Sequence, residues 1–209
     1  MTSPTNERPC YKHFIAGPIG TNCYVIHDPA SGKGVLVDPP EYSAVIADHI
    51  EKQRLEILWT INTHGHSDHI CGNATFGYPV MIHSLDEKFL NDPALNLSPF
   101  PASPGETLKA ERILYDGMRI RIGNIELEII HTPGHTPGSV SIKCGDLVFS
   151  GDTLFFEGIG RTDHPGGDQE EIIRSIVTKL MVLDDSFRVL PGHGPETTIG
   201  HEREKNPFL

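Results

Sequence analysis

Four potential metal ligands fall within six residues at His64-Gly-His66-Ser-Asp68-His69. Imidazole and carboxylate together suit zinc, iron or manganese. The run directly follows residues 56–62, an apolar stretch that reads as a buried strand. In extended chain side chains alternate, so His64 and His66 point the same way. Asp68 and His69 fall beyond, where the chain can turn. Gly65 and Ser67 are small and let the backbone pass close to an ion. A solvated polar loop has no reason to place four such donors at the end of an apolar strand.

Three later residues share that context. His135 stands in His131-Thr-Pro-Gly-His135-Thr-Pro-Gly138, Asp152 in Ser150-Gly-Asp152-Thr, and His193 in Leu190-Pro-Gly-His193-Gly194. Each follows a strand and has a glycine beside it. Alone, each reads more readily as a turn; together they describe a site on one rim of a sheet. His131 fits a partner that orients a ligand and a turn-stabilising residue equally well. His13, His27, His49, His83, His164 and His201 lack such context and read as structural or solvent-facing.

These residues need a frame. Strands are expected over 11–16, 22–27 and 34–38, then a helix over 41–53 with Val45, Ile46, His49 and Ile50 on one face. A short helix starts in 68–75 and a strand spans 79–83. Ser84 caps a helix over 85–91, with Glu87 at the reciprocal position. Residues 92–105 are rich in Pro and Ser and read as a surface loop. Two hairpins follow, 118–122 with 125–130 around Gly123-Asn124, and 139–143 with 147–150 around Gly145-Asp146. Asp168 caps a helix to 183 whose face carries Ile172, Ile173, Ile176, Val177 and Leu180. A strand at 188–190 and a helix over 198–205 close the chain. Two sheets face to face, with helices outside, form one domain over 1–209.

Composition bounds the partners. The chain has 209 residues, enough for a well-buried core, and a formal net charge of -11. Such a surface disfavours nucleic acid and anionic membranes. Residues 1–9 are polar, should fray, and lack the apolar core of a secretory signal; no apolar run approaches membrane-spanning length. Cys10, Cys23, Cys71 and Cys144 form no Cys-x-x-Cys pair and read as free thiols in a reducing, cytoplasmic setting.

The order His-x-His-x-Asp-His, His, Asp, His resembles the metallo-β-lactamase superfamily over nearly the whole chain. The nearer resemblance is to the glyoxalase II-like (hydroxyacylglutathione hydrolase-like) group. It is carried by Thr63–His69, His131–His135, Gly151-Asp-Thr-Leu154, Gly158-Ile-Gly-Arg-Thr-Asp163 and 190–199. The resemblance implies an α/β fold, a four-layer αβ/βα sandwich. It implies one metal held by His64, His66 and His135, a second held by Asp68, His69 and His193, and Asp152 bridging them. Asp68 and Asp152 would be the catalytic carboxylates, and Arg161 with Thr162 would line the thiol-carrier site. The implied reaction is hydrolysis of an S-acyl thiol such as S-lactoylglutathione, by a hydroxide that the two ions supply.

Four features place the chain within the resemblance or depart from it. An aspartate at 152 separates the chain from most β-lactamases of this fold. The C-terminal helical domain of glyoxalase II proper is not expected, and Asp163 replaces an aromatic residue of the carrier site. Cys71 stands where glycine is common, placing a redox-sensitive thiol near the metals. An alternative on the same fold is a persulfide dioxygenase with one iron on His64, His135 and Asp152. A non-catalytic metal-binding protein ranks third.

Overall fold

The computed structural model describes residues 9–41, 43–98 and 108–209. Its frame is two six-stranded sheets. The first contains β1 (Cys10–Ala16), β2 (Thr21–His27), β3 (Lys33–Val37), β4 (Glu56–Ile61), β5 (Val80–His83) and β6 (Arg112–Leu114), in that spatial order. The second contains β7 (Arg119–Ile122), β8 (Ile125–His131), β9 (Val140–Cys144), β10 (Leu147–Gly151), β13 (Arg188–Pro191) and β14 (Thr197–Thr198), ordered β14-β13-β10-β9-β8-β7. A small hairpin of β11 (Leu154–Phe155) and β12 (Gly158–Ile159) stands apart.

The central strands carry near-continuous apolar runs because both of their faces are covered. Strand alternation sorts those residues into layers. Tyr24, Ile26, Val35 and Val37 turn inward, where Phe149 and Leu190 of the other sheet meet them. Cys23, Val25 and Leu36 turn outward against Ile46 and Ile50 of α1 (Ala44–Lys52). On the far side Val148 and Val189 turn outward against Ile172, Ile176, Leu180 and Ile199, from α5 (Gln169–Ser175), the π turn Ile176–Leu180 and α6 (Ile199–Lys205). The result is helix, sheet, sheet, helix, as expected.

Both expected hairpins form, with Ile122 paired to Ile125 and Cys144 to Leu147. Asp168 and Thr198 cap their helices through Glu171 N and His201 N. Several local expectations fail. The helix after Asp168 changes to π winding at Ile176, which keeps Ile172, Ile176 and Leu180 buried but leaves Val177 exposed. Residues 68–75 form two separate turns, α2 (Ser67–Ile70) and α3 (Asn73–Phe76). The helix expected over 85–91 shrinks to the 3-10 turn Glu87–Leu90, with Asp86 rather than Ser84 preceding it. The expected loop starts with a turn of helix, α4 (Pro93–Asn96), capped by Asp92. Residues 99–105 of that loop and residues 1–8 of the N-terminal tail lie outside the described residues. No helix among the described residues is long and apolar enough to cross a membrane.

β3 and β4 run parallel, as do β10 and β13, so each pair ends on one rim. Contacts between the sheets close that rim. Val140 N donates to Thr63 O at 2.8 Å, and Asn22 N donates to Gly192 O at 2.7 Å. Asn22 Nδ2 reaches the carbonyls of Pro191 and Gly194, both at 2.9 Å. The segments after β4, β8, β10 and β13 are thereby drawn to one place.

Candidate metal centre

His64 and His66 follow β4, and Asp68 and His69 sit on α2. His135 follows β8, Asp152 follows β10, and His193 follows β13. All seven meet at the rim and form three overlapping donor groups: His64, His66 and His135; His64, His69 and Asp152; Asp68, His69 and His193. Within each group one ligating atom per residue lies within 4.8 Å of the others. The first and third groups are the two sets that the family resemblance implies.

The separations are close. His66 Nδ1 lies 2.9 Å from His135 Nε2, and His69 Nε2 lies 3.3 Å from His193 Nε2. Asp68 Oδ2 is 3.2 Å from His69 Nε2 and 3.1 Å from His193 Nε2. Two nitrogens about 2.0–2.1 Å from one ion are about 2.9–3.4 Å apart at angles of roughly 90–110°, so these spacings fit shared ions. Asp152 stands between the groups. Its Oδ2 is 3.6 Å from His135 Nε2 and 3.6 Å from His193 Nε2, while its Oδ1 is 3.4 Å from His69 Nε2.

Two buried atoms supply an independent test of fit. His64 Nε2 and Asp152 Oδ1 have no hydrogen-bond partner. An unpaired buried polar atom costs about 1–3 kcal/mol, which a cation among these donors removes. The outward ring nitrogens of His69 and His135, by contrast, are held, whereas His66 Nε2 is buried without a partner. His69 Nδ1 donates to Asp38 Oδ2 at 3.0 Å, and His135 Nδ1 donates to the Arg161 carbonyl at 2.7 Å. Such contacts fix the tautomer and aim the other nitrogen at the centre.

Electrostatics divide the donors. Burial, then the neighbouring imidazoles, pulls His64 down and His66 down to about 3, so both are neutral and ready to ligate. Burial likewise lowers His135. At His69 burial acts downward, but Asp152, Asp68 and Asp38 outweigh it and raise the pKa well above the usual value. His193 is raised despite burial, chiefly by its hydrogen bond to Asp68. Burial acts upward on Asp68, yet His69 and His193 hold its carboxyl far below the usual range.

The centre forms the floor of a cleft of about 730 Å³. Pro18, Ile19, Leu97, Phe155 and Ile159 line its walls, and Arg161 stands at its side. Thr162 does not line it. His164 does, with its ring 5.7 Å from that of His66, which corrects its reading as structural or solvent-facing. His131 donates to the Pro137 carbonyl at 2.9 Å and stacks on His83, so it braces the turn and orients no ligand directly. Cys71 lines the cleft, and burial, Asp68 and Glu41 raise its thiol pKa, against thiolate reactivity.

The metallo-beta-lactamase superfamily model matches residues 16–193. This chain belongs to the metallo-beta-lactamase superfamily. Among curated superfamily proteins it is similar to the probable metallo-hydrolase YqgX of Bacillus subtilis, at 38% identity over 95% of this chain and 97% of that one. It is also similar to the hydroxyacylglutathione hydrolase GloC of Haemophilus influenzae, at 35% identity over 90% and 92%. Solved superfamily structures include the BLEG-1 B3 metallo-beta-lactamase, with TM-score 0.87 and 37% identity over 96% of this chain and 99% of that one. TTHA1623 in a di-iron-bound form gives 0.81 and 34% over 95% and 100%. ETHE1 from Myxococcus xanthus gives 0.77 and 27% over 95% and 83%. The chain is therefore a superfamily metallo-hydrolase with a divalent-metal site.

The superfamily centre here depends on residues that the motif reading passed over. Asp38 is the last residue of the strand expected over 34–38 and carries no site role in that reading. Its buried carboxylate accepts Thr63 N at 2.7 Å and Thr63 Oγ1 at 2.6 Å as well as His69. Its position directly after a buried strand, like that of Asp152, was the available signal. Asp86, fully buried, accepts Gly65 N at 2.9 Å, Thr136 Oγ1 at 2.6 Å and Gly138 N at 2.7 Å. It ties the His64 loop to the His135 loop, and nothing in its local sequence announces that.

Proposed function

We propose that the chain is a glyoxalase II-like thioesterase that hydrolyses S-acyl thiols, S-lactoylglutathione among them, at two divalent metal ions. The observation that carries this reading is the place of Asp152, with one carboxylate oxygen equidistant from His135 and His193. His64, His66 and His135 would hold one ion, Asp68, His69 and His193 the other, and Asp152 both. Zinc is the first choice for these ligands; iron and manganese also suit them. Bound there, the ions supply a hydroxide at neutral pH and polarise the carbonyl.

The chain's own residues do the rest. Thr21 Oγ1 donates to Asp68 Oδ2 at 3.0 Å and keeps that ionised carboxylate aimed into the site. There it can accept a hydrogen bond from the attacking water and fix its direction. Asp38 holds the His69 ring, and the Arg161 carbonyl holds that of His135. The apolar walls keep bulk water from the acyl group. A thiolate leaves without a proton because thiol pKa values lie near 8.5. Arg161, at the cleft, is the substrate-side residue of the expected pair; Thr162 is not part of the lining. The acidic surface and four free thiols support a small-molecule thioester as partner and a cytoplasmic setting.

The likeness to ETHE1 supports the second reading, a persulfide dioxygenase with iron on His64, His135 and Asp152. That reading leaves the half-buried Asp68 and His193 and the buried His69 without an ion. The likeness to BLEG-1 adds β-lactams to the test. Metal-loaded protein should hydrolyse S-lactoylglutathione faster than any β-lactam and consume no oxygen with glutathione persulfide. Oxygen consumption, or no thioester turnover at full loading, contradicts the proposal; no turnover on any substrate supports a non-catalytic metal protein.

A further inference from the structure

The segment 161–168 is pinned to the His135 loop at both ends. His135 Nδ1 donates to the Arg161 carbonyl at 2.7 Å, and Asp168 N donates to the Gly134 carbonyl at 2.8 Å. Between those anchors His164 lines the cleft. Its carbonyl accepts Gly167 N at 2.9 Å and closes a turn. Its ring stands nearly edge-on to that of His66, with 79° between the planes and the centroids 5.7 Å apart. His164 belongs to none of the three donor groups, so the two ions leave it unused. Its ring makes no hydrogen bond with a described residue. The other nitrogen-bearing side chain of the lining outside the donor groups, Arg161, forks onto Asp163. An imidazole held in place, with both nitrogens open, therefore borders the cleft beside the ligands of the first ion.

The ions on the floor limit what can reach that ring. They take the carbonyl oxygen of the scissile bond, so His164 meets a group close to that carbonyl. On the acyl side such a group is a hydroxyl on the α-carbon, two bonds from the carbonyl carbon. On the side of a cysteine-based thiol carrier the first polar atom is twice as far along the chain. The lining residue in ring contact with His193, by contrast, is the apolar Phe155, with centroids 6.4 Å apart.

Resting on the thioester reading, we propose that His164 is a specificity-determining residue that hydrogen-bonds the α-hydroxyl of a 2-hydroxyacyl thioester. A hydroxyl both donates and accepts, so it pairs with either tautomer of the ring. An acyl group without it leaves the imidazole unpaired against the bound substrate, and this selects against plain acyl thioesters.

Two pairs of compounds that differ by that one oxygen test this on the full-length, metal-loaded protein. S-lactoylglutathione and S-propionylglutathione are compared by kcat/KM. The non-hydrolysable S-(2-hydroxypropyl)glutathione and S-propylglutathione are compared by calorimetry, with metal content measured on every preparation. The wild type should prefer the hydroxylated member of each pair. His164→Phe, which keeps an aromatic ring against His66, should lower both preferences about three- to tenfold. His164→Gln, whose amide donates and accepts, should recover part of that loss. Comparing ratios between variants cancels the hydroxyl's own effect on carbonyl reactivity. A purely structural role would weaken both members of a pair alike. Ratios that do not move, no preference between the thioethers in the wild type, or a Gln variant no better than Phe overturns the inference. Hydrolysis of both esters with an unmoved ratio in His164→Phe defeats this inference alone. A thioether preference that depends on His164, with no hydrolysis of either ester, defeats the thioester reading alone.

Discussion

His66 Nδ1 and His135 Nε2 stand 2.9 Å apart although 69 residues separate them in the chain. One follows a strand of the first sheet and the other a strand of the second. Their meeting depends on the contacts that close the rim, above all Val140 N to Thr63 O. The centre therefore reports on how the two sheets are joined as well as on its own ligands.

Loss of a ligand should act on one donor group at a time. His66→Ala and His193→Ala should each lower metal content by about one ion per chain. Asp152→Ala should lower both occupancies. All three should reduce thioester turnover by on the order of 100-fold or more. Metal analysis and initial rates on the same preparations check this; full turnover in a metal-depleted variant contradicts it.

Asp38→Asn isolates the charge behind His69. Asp38 has φ 50, a left-handed conformation that asparagine also tolerates, so the backbone should hold. The amide cannot accept all three hydrogen bonds with the same strength, and His69 loses its orienting anion. Metal affinity should fall about 10–100-fold, read by competition with a chelator.

Asp86→Ala should act on stability first. It leaves the N–H groups of Gly65 and Gly138 unpaired in the interior and takes one of two partners from the Thr136 hydroxyl, which keeps Ser139 Oγ at 2.8 Å. A loss of about 2–4 kcal/mol, or roughly 5–15 °C in Tm for a domain of this size, should appear by calorimetry. An unchanged Tm would mean that the two loops do not depend on this carboxylate.

Metal uptake should be pH-dependent with a defined sign. The carboxylates around His69 and His193 raise both pKa values, so in the metal-free protein these rings hold protons into the neutral range. An ion must displace those protons, so affinity should rise with pH through neutrality and level off once the rings are neutral. Binding heats in buffers of different ionisation enthalpy should show proton release. Zero release would contradict protonated rings.

The seven donors that meet at the rim were legible because they lie at or just beyond the ends of apolar runs and six of them sit beside Gly or Ser, a pattern that local sequence contains. The two hairpins were legible from Gly123-Asn124 and Gly145-Asp146 for the same reason. Asp86 was not, because its partners lie 21, 50 and 52 residues away. His164 was not, because its place beside His66 depends on how the loop after β12 folds over the cleft. The 3-10 turn at Glu87–Leu90 was misjudged because the capping pattern at Ser84 competes with the tertiary hydrogen bonds of Asp86.

The central claim, two ions sharing Asp152, is tested most directly by titrating zinc into metal-free protein while measuring bound metal and S-lactoylglutathione hydrolysis together. The account predicts saturation at two ions per chain, with maximal turnover reached only as the second site fills. Saturation and full activity at a single ion per chain would contradict it.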